Sequence, residues 1–146
     1  MQQNTTHILK RKTDGTQTVN ASETLVAITQ LLAALGANEI WSFKLKLLLD
    51  GKAVADADVA VGFSAAGATL TYGDASAAAM DAIEDGQVNF PLVDDLPTIC
   101  IIEGIISTGA NPGNLTTSFA QGTSDASDLE LLNGSSLELR RIDDTT

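Results

Sequence analysis

The sequence predicts an all-β fold, a jelly-roll β-sandwich of about eight short antiparallel strands. Three observations predict it. Apolar and polar residues alternate in short runs, as strands with one buried and one wet face require. The runs are separated at regular intervals by Gly, Pro, Asn and Asp, the residues of tight turns. The chain has 146 residues, of which 44% are hydrophobic and 18% charged, which suits one domain with its own core. We divide it into an N-terminal arm or hairpin over residues 1–20, expected to contact neighbours, and a single jelly-roll domain over 21–146.

From the N-terminus, HILKRKT (7–13) and TQTV (16–19) flank Asp14-Gly15. Asp-Gly is a favoured two-residue hairpin turn, so a hairpin is expected here. Lys10, Arg11 and Lys12 form a short basic patch in its first arm. Such charges either protect an edge strand or dock on an acidic neighbour. The stretch from Ser22 to Gly36 reads two ways. Leu25, Ile28, Leu32 and Leu35 fit a helical stripe between a serine cap and a glycine stop, whereas Thr24, Val26, Ile28 and Thr29 favour a strand.

Residues 39–50 (EIWSFKLKLLLD) alternate most cleanly. Trp41, Phe43, Leu45, Leu47 and Leu49 share one face and Ser42, Lys44 and Lys46 the other, so Trp41 and Phe43 are expected to anchor the core. DVAVGFS (58–64) and ATLTY (68–72) are two further short strands, the second with Tyr72 as the aromatic expected at the surface. The Ala- and Asp-rich segment 73–85 fits either one helical turn or a long loop. VNFPLV (88–93) contains Pro91 and suits an edge strand.

Ile99, Cys100, Ile101, Ile102, Ile105 and Ile106 are apolar on both faces of an expected strand. Such a strand is covered on both sides, in this chain by the sandwich within and a subunit outside. Turn signals at Gly109–Gly113 and at Asn133-Gly134, with a polar loop over 122–127, then separate LTTSFAQ, LELL and SLELRRI.

These residues resemble the β-sandwich structural proteins of tailed bacteriophages. The resemblance rests on ALGANEIWSFKLKLLLDG, on Asp58 leading to Phe63, and on a C-terminal half built from Gly104–Gly109, Pro112–Leu115, Phe119 with Gln121, and Gly134–Leu137. It covers about two-thirds of the chain, and Phe119 stands where that pattern often has Trp. The resemblance implies a trimeric jelly roll of the tumour-necrosis-factor type and strand, not helix, over Thr24–Leu35. It also implies a role as a capsid decoration (cement) protein that binds between subunits of the major capsid protein, or as part of a fibre. A fibre or receptor-binding domain recognising host glycans is the alternative. The expected location is the capsid surface of a virion assembled in the host cytoplasm. Candidates for capsid or subunit contact are Lys10, Arg11, Lys12, Ile99, Ile101, Glu103 and Ile105.

Charge and motif content narrow the function classes. Net charge is -11, which repels phosphates and argues against nucleic acid as a partner. The eight basic residues are confined to 10–12, 44–52 and 140–141, with none between Ala53 and Leu139. No apolar run reaches membrane-spanning length and the N-terminus lacks the apolar core of a signal peptide, so no membrane partner is expected. With one histidine, His7, and one cysteine, Cys100, no zinc site, internal disulfide or Ser-His-Asp centre is expected. No phosphate-cradling G-x-x-x-x-G-K-S/T motif is present. Asp56 with Asp58, and Asp125 with Asp128, are oxygen ligands of the calcium type but match no calcium loop. The expectation is therefore a protein without enzymatic activity, cofactor or metal.

Overall fold

The computed structural model describes residues 8–75 and 86–143. His7 and residues 76–85 of the Ala- and Asp-rich segment lie outside them. The described residues form twelve strands and no helix: β1 (Ile8–Lys12), β2 (Gln17–Asn20), β3 (Val26–Ala27), β4 (Ala33–Leu35), β5 (Ile40–Asp50), β6 (Ala57–Phe63), β7 (Thr69–Asp74), β8 (Gln87–Phe90), β9 (Thr98–Ser107), β10 (Gly113–Gln121), β11 (Asp128–Leu131) and β12 (Ser136–Arg141). The stretch 24–35 is not helical: it holds two short strands, β3 and β4, joined by a turn that the Leu31 amide closes on Ile28 O at 3.0 Å, with Ile28, Leu31, Ala33 and Leu35 buried in the core.

Three pairs of these strands are collinear halves of longer ones. β1 pairs with β12 and β2 with β11 in one unbroken register, with Ile8 opposite Arg140, Lys12 opposite Ser136, Gln17 opposite Leu131 and Asn20 opposite Asp128. The expected Asp14-Gly15 hairpin is therefore absent: β1 and β2 do not pair with each other. Gly15 does take a positive φ, 95°, but it kinks one strand instead of reversing it. Asn133-Gly134 likewise interrupts the last strand, and β3 and β4 both pair with β10 across a break at 28–32.

With the halves joined, one sheet runs β1/β2, β12/β11, β5, β9, β7, and the other β3/β4, β10, β6, β8. All pairings are antiparallel, and successive strands cross from one sheet to the other. Without β7, an extra edge strand beside β9, the order is that of the eight-strand jelly roll with its two Greek keys. The expected fold class is the observed one.

The core lies between the sheets. Trp41, Phe43, Leu45, Leu47 and Leu49 of β5 face Val59, Val61, Leu115 and Phe119 of the opposite sheet, all at most 4% exposed. Gly104 of β9 is obligatory here, because a Cβ would meet the Phe43 ring at 2.5 Å and the Thr71 carbonyl oxygen at 2.5 Å. Tyr72 is not at the surface, contrary to expectation. Its position in β7 alternates inward with Leu70, it is 1% exposed, and its hydroxyl donates to the Gly86 carbonyl.

Among the described residues, the five buried polar side chains each serve a break or a loop. Thr13 and Ser135 donate to the Leu132 carbonyl, at 3.2 and 3.0 Å, inside the interruption shared by the first and last strands. Thr117 donates to Leu31 O across the β3–β4 break, and Thr108 donates to Gly36 O at the turn before β5. Gln121 accepts from the Ser22 and Asp125 amides, each at 3.1 Å, and donates to Ser127 O at 2.8 Å. No buried side-chain polar atom among the described residues lacks a partner, so the breaks are built features of the sheets.

Candidate interaction surface

Strand alternation decides which candidate residues meet. In β9, Cys100, Ile102, Gly104 and Ile106 point into the sandwich, and Ile99, Ile101, Glu103 and Ile105 point out. Among the described residues β9 is thus not covered on both sides: Ile99 is 60% and Ile105 50% exposed. In β1, Lys10 stands opposite Glu138 on the same outer face, whereas Arg11 stands opposite the inward Leu137. The basic triplet is therefore split. Lys10 and Lys12 join Ile99, Ile101, Glu103 and Ile105 on the outer face of the β5 sheet, and Arg11 points the other way.

The register assembles this face in rows. One row reads Lys10, Glu138, Lys44, Glu103 across β1, β12, β5 and β9. Ion pairs join Lys10 to Glu138 at 3.6 Å and Lys44 to Glu103 at 3.3 Å. All four side chains are about half exposed or more, so each pair contributes at most about 1 kcal/mol, and the main effect is to neutralise the row and fix its side chains. The row on one side reads Ile8, Arg140, Ser42, Ile105, and that on the other reads Lys12, Ser136, Lys46, Ile101. Lys12, Lys46 and Arg140 have no carboxylate partner among the described residues. Among the described residues the face thus carries three cations without an ion-pair partner and exposed isoleucines, and a shallow depression of about 580 Å³ in it is lined by Lys44, Arg140, Glu103 and Glu138 together with Ile105 and Thr71. Sequence inspection named β1 and β9 but missed Lys44, Lys46 and Arg140. Their signal was the outward position of each in its alternating strand.

A second surface was missed entirely. The β5–β6 loop, the β8–β9 connection and the 122–127 loop close one end of the sandwich, joined by the Ala53 amide on Asp94 at 2.8 Å and the Thr123 amide on Ala55 O at 2.8 Å. Val54, Val93 and Leu96 are exposed there by 67, 53 and 59%. Around them stand Asp56, Asp58, Asp94, Asp95, Asp125 and Asp128, with Lys52 as the basic residue of this end. Lys52 is bound to Asp95 at 2.7 Å, and that hydrogen bond holds its pKa above the ordinary lysine range. Two Ser127 hydrogen bonds, from hydroxyl and amide, hold the Asp125 carboxyl below its ordinary range.

No group of three or more His, Cys, Asp or Glu side chains among the described residues is placed to hold a metal ion. Asp56 instead accepts from the Leu92 amide and Asp58 from the Asn89 side chain. Cys100 is buried, and burial, with a smaller effect from Asp74, pushes its thiol up to about 12. No helix among the described residues is long and apolar enough to cross a membrane.

No family model and no curated protein matches the sequence. Solved structures from one virus give distant likenesses. The VP2 subviral particle of infectious bursal disease virus is 11% identical with a TM-score of 0.37, over 93% of this chain and 40% of that chain. The Gx strain of the same virus is 14% identical with a TM-score of 0.25, over 94% of this chain and 40% of the other. The chain therefore spans well under half the length of either. At this similarity the matches add nothing to the fold, which the strand order establishes, and nothing to the function.

Proposed function

We propose that this chain is a virion structural protein, specifically a capsid decoration protein that binds as a homotrimer between subunits of a major capsid protein. The observation that carries the reading is the outer face of the β5 sheet. It presents Lys12, Lys46 and Arg140 beside Ile99 and Ile105 on a chain that is otherwise strongly acidic. A sandwich whose outer face sets unpaired cations beside exposed isoleucines is suited to binding a protein surface, and the phage-like sequence pattern suggests the kind of surface. The jelly roll is used by viral capsid, lectin and cupin domains alike, so the fold by itself does not choose among them. In this reading the protein acts by contact, without enzymatic activity, cofactor, nucleic acid or membrane, on the surface of a capsid assembled in the host cytoplasm.

The glycan-binding alternative needs exposed aromatic side chains. Tyr72 was its candidate, and its burial counts against that reading. Co-sedimentation with undecorated capsids is the test. Saturable binding that weakens when Lys12 and Lys46 are changed to Glu is expected. Absence of binding, or saturable binding on a glycan array instead, would reject the decoration role.

A further inference from the structure

The Asn133-Gly134 turn interrupts the last strand and takes no part in the ladders on either side of it: β11 ends at Leu131 and β12 begins at Ser136. Its flanks are pinned. The Leu132 amide donates to Leu48 O at 2.9 Å, the Ser135 hydroxyl donates to Leu132 O at 3.0 Å, and Ser135 O accepts from the Thr13 amide at 2.8 Å. Its centre is held weakly. The Gly134 amide reaches Thr13 O only at 3.4 Å, a Cβ at Gly134 would meet nothing within 4 Å, and both turn residues are exposed. The Asn133 side chain makes no hydrogen bond among the described residues. By contrast, the side-chain amide of Asn20 is held by Ala126 O and Asp128, that of Asn89 by Asp58, and that of Asn111 by Ala66 O. Among the described asparagines, Asn133 is also the one that precedes glycine. Asn20, Asn38, Asn89 and Asn114 precede bulkier residues, and Asn111 precedes Pro112, which has no amide proton to lose.

We propose that Asn133 is a site of spontaneous covalent modification in the folded chain, converting through a cyclic imide with Gly134 to aspartate or isoaspartate while the strands keep their pairing. The Gly134 nitrogen gives up its proton to solvent hydroxide and attacks the Asn133 side-chain carbonyl carbon. The new C–N bond closes a five-membered ring, the bond to the side-chain nitrogen breaks, and ammonia leaves with a proton taken from water. Water then opens the ring. Cleavage at the side-chain carbonyl leaves an aspartate on an unchanged backbone. Cleavage at the main-chain carbonyl leaves an isoaspartate, with the backbone routed through the side chain and one methylene longer. Glycine leaves the attacking nitrogen unhindered, because no Cβ stands beside it. The hydrogen bond given up is the long one to Thr13 O. An extra methylene inside a paired strand would slip its register and turn its side chains to the wrong face. Here it falls between pinned flanks, so Leu137 and Leu139 stay buried. Either product adds one carboxylate to a chain of net charge -11.

Incubating the full folded chain at mildly alkaline pH in ammonium-free buffer tests it, beside Asn133→Gln and beside the native chain unfolded in guanidinium. Anion exchange separates the more acidic product, released ammonia counts the events, and peptide fragmentation locates them. A hydrogen bond that must first be broken slows an amide about fivefold, and the missing Cβ adds to the difference, so conversion at Asn133 is expected at least about tenfold faster than at Asn20, Asn89 or Asn111. Asn133→Gln, whose longer side chain closes the ring less readily, should not form the acidic species. The separated product should keep the native circular dichroism and the native urea midpoint. Conversion at position 133 no faster than at the bound asparagines, or seen only in guanidinium, overturns the proposal. So does an acidic species formed equally by Asn133→Gln, or a product that has lost the native circular dichroism or midpoint. Capsid binding is read separately by co-sedimentation, and neither result depends on the other.

Discussion

Gln121 is the side chain whose removal tests the account of the buried polar network. Replacing it with Met keeps length and most of the volume but removes one acceptor and one donor. Three contacts disappear: the Ser22 and Asp125 amides at 3.1 Å and the Ser127 carbonyl at 2.8 Å. A neutral hydrogen bond contributes about 1 kcal/mol net, and a buried polar group left unpaired costs about 1–3 kcal/mol. Ser22, Asp125 and Ser127 are partly exposed, so water reaches some of the abandoned groups and the lower figure applies to each. The expected loss is about 3 kcal/mol, a large part of the roughly 5–15 kcal/mol that holds a domain together. At about 3 °C per kcal/mol for a domain of this size, the midpoint falls by about 9 °C. Urea unfolding followed by Trp41 fluorescence at fixed protein concentration measures it, and the slope should not change. Hydrogen exchange should show lost protection at the Ser22 and Asp125 amides. A loss under about 0.5 kcal/mol, with those amides still protected, would refute the claim that Gln121 ties the 122–127 loop to the sandwich.

Three further outcomes follow from the same structure. Gly104→Ala places a Cβ against the Phe43 ring and the Thr71 carbonyl at 2.5 Å each; because the carbonyl belongs to strand backbone that cannot rotate away, we expect about 3 kcal/mol or more of destabilisation in the same urea assay. The Cys100 thiol, pushed up to about 12 by burial, stays protonated and unreactive toward an aromatic disulfide reagent at pH 8 until the protein unfolds; its folded value lies above the unfolded one, so its contribution is complete below pH 9 and fades above it, and rapid native labelling would contradict this. The Asp125 carboxyl is depressed by its Ser127 hydrogen bonds, so its contribution is present above the unfolded carboxylate range and is lost as pH falls through the lower folded value; Asp125→Asn should flatten stability against pH below about pH 4, and an unchanged acid limb would show that the bonds do not hold in solution.

Much of the fold was legible because one-sided burial leaves a period-two mark. β5 reads directly, since each of its core residues from Trp41 to Leu49 is separated by one outward residue. The same rule, applied to ATLTY, would have placed Tyr72 inside with Leu70, so that burial was readable and was missed. β9 defeated the pattern for a physical reason: its outward positions carry isoleucines at a surface left open in the single chain, and apolar content alone does not distinguish the two faces. The Asp14-Gly15 error has a different origin. Local turn chemistry reports the positive φ at Gly15 but not the partner, and here both halves of the strand pair with the last strand of the chain. The interaction surface was legible residue by residue and not as a whole, because its rows cross β1, β12, β5 and β9, whose order is set by the tertiary register.

The placement of the exposed apolar residues separates a binding surface from an aggregation hazard. Sheet edges are where unpaired backbone groups recruit other chains indiscriminately. Here the β1 edge carries Lys10, Arg11 and Lys12, the β8 edge is cut short by Pro91, and β3 spans only two residues. Ile105 instead occupies an outward position of β9 where both neighbours, β5 and β7, are paired to it, so contact there is possible through side chains alone. Side-chain contact demands shape and charge complementarity, whereas edge pairing does not. The net charge of -11 further disfavours nonspecific association between copies. The basic residues of β1 therefore need not be the contact themselves. Lys10 and Arg11 guard an edge, and Lys12, at the margin of the outer face, both guards the edge and extends the cation row that includes Lys46. Changing Lys10 to Ser should leave assembly mass intact while raising the tendency to form larger aggregates on heating, measured by light scattering. If it instead dissolves the assembly without promoting aggregation, the edge-guarding role is wrong.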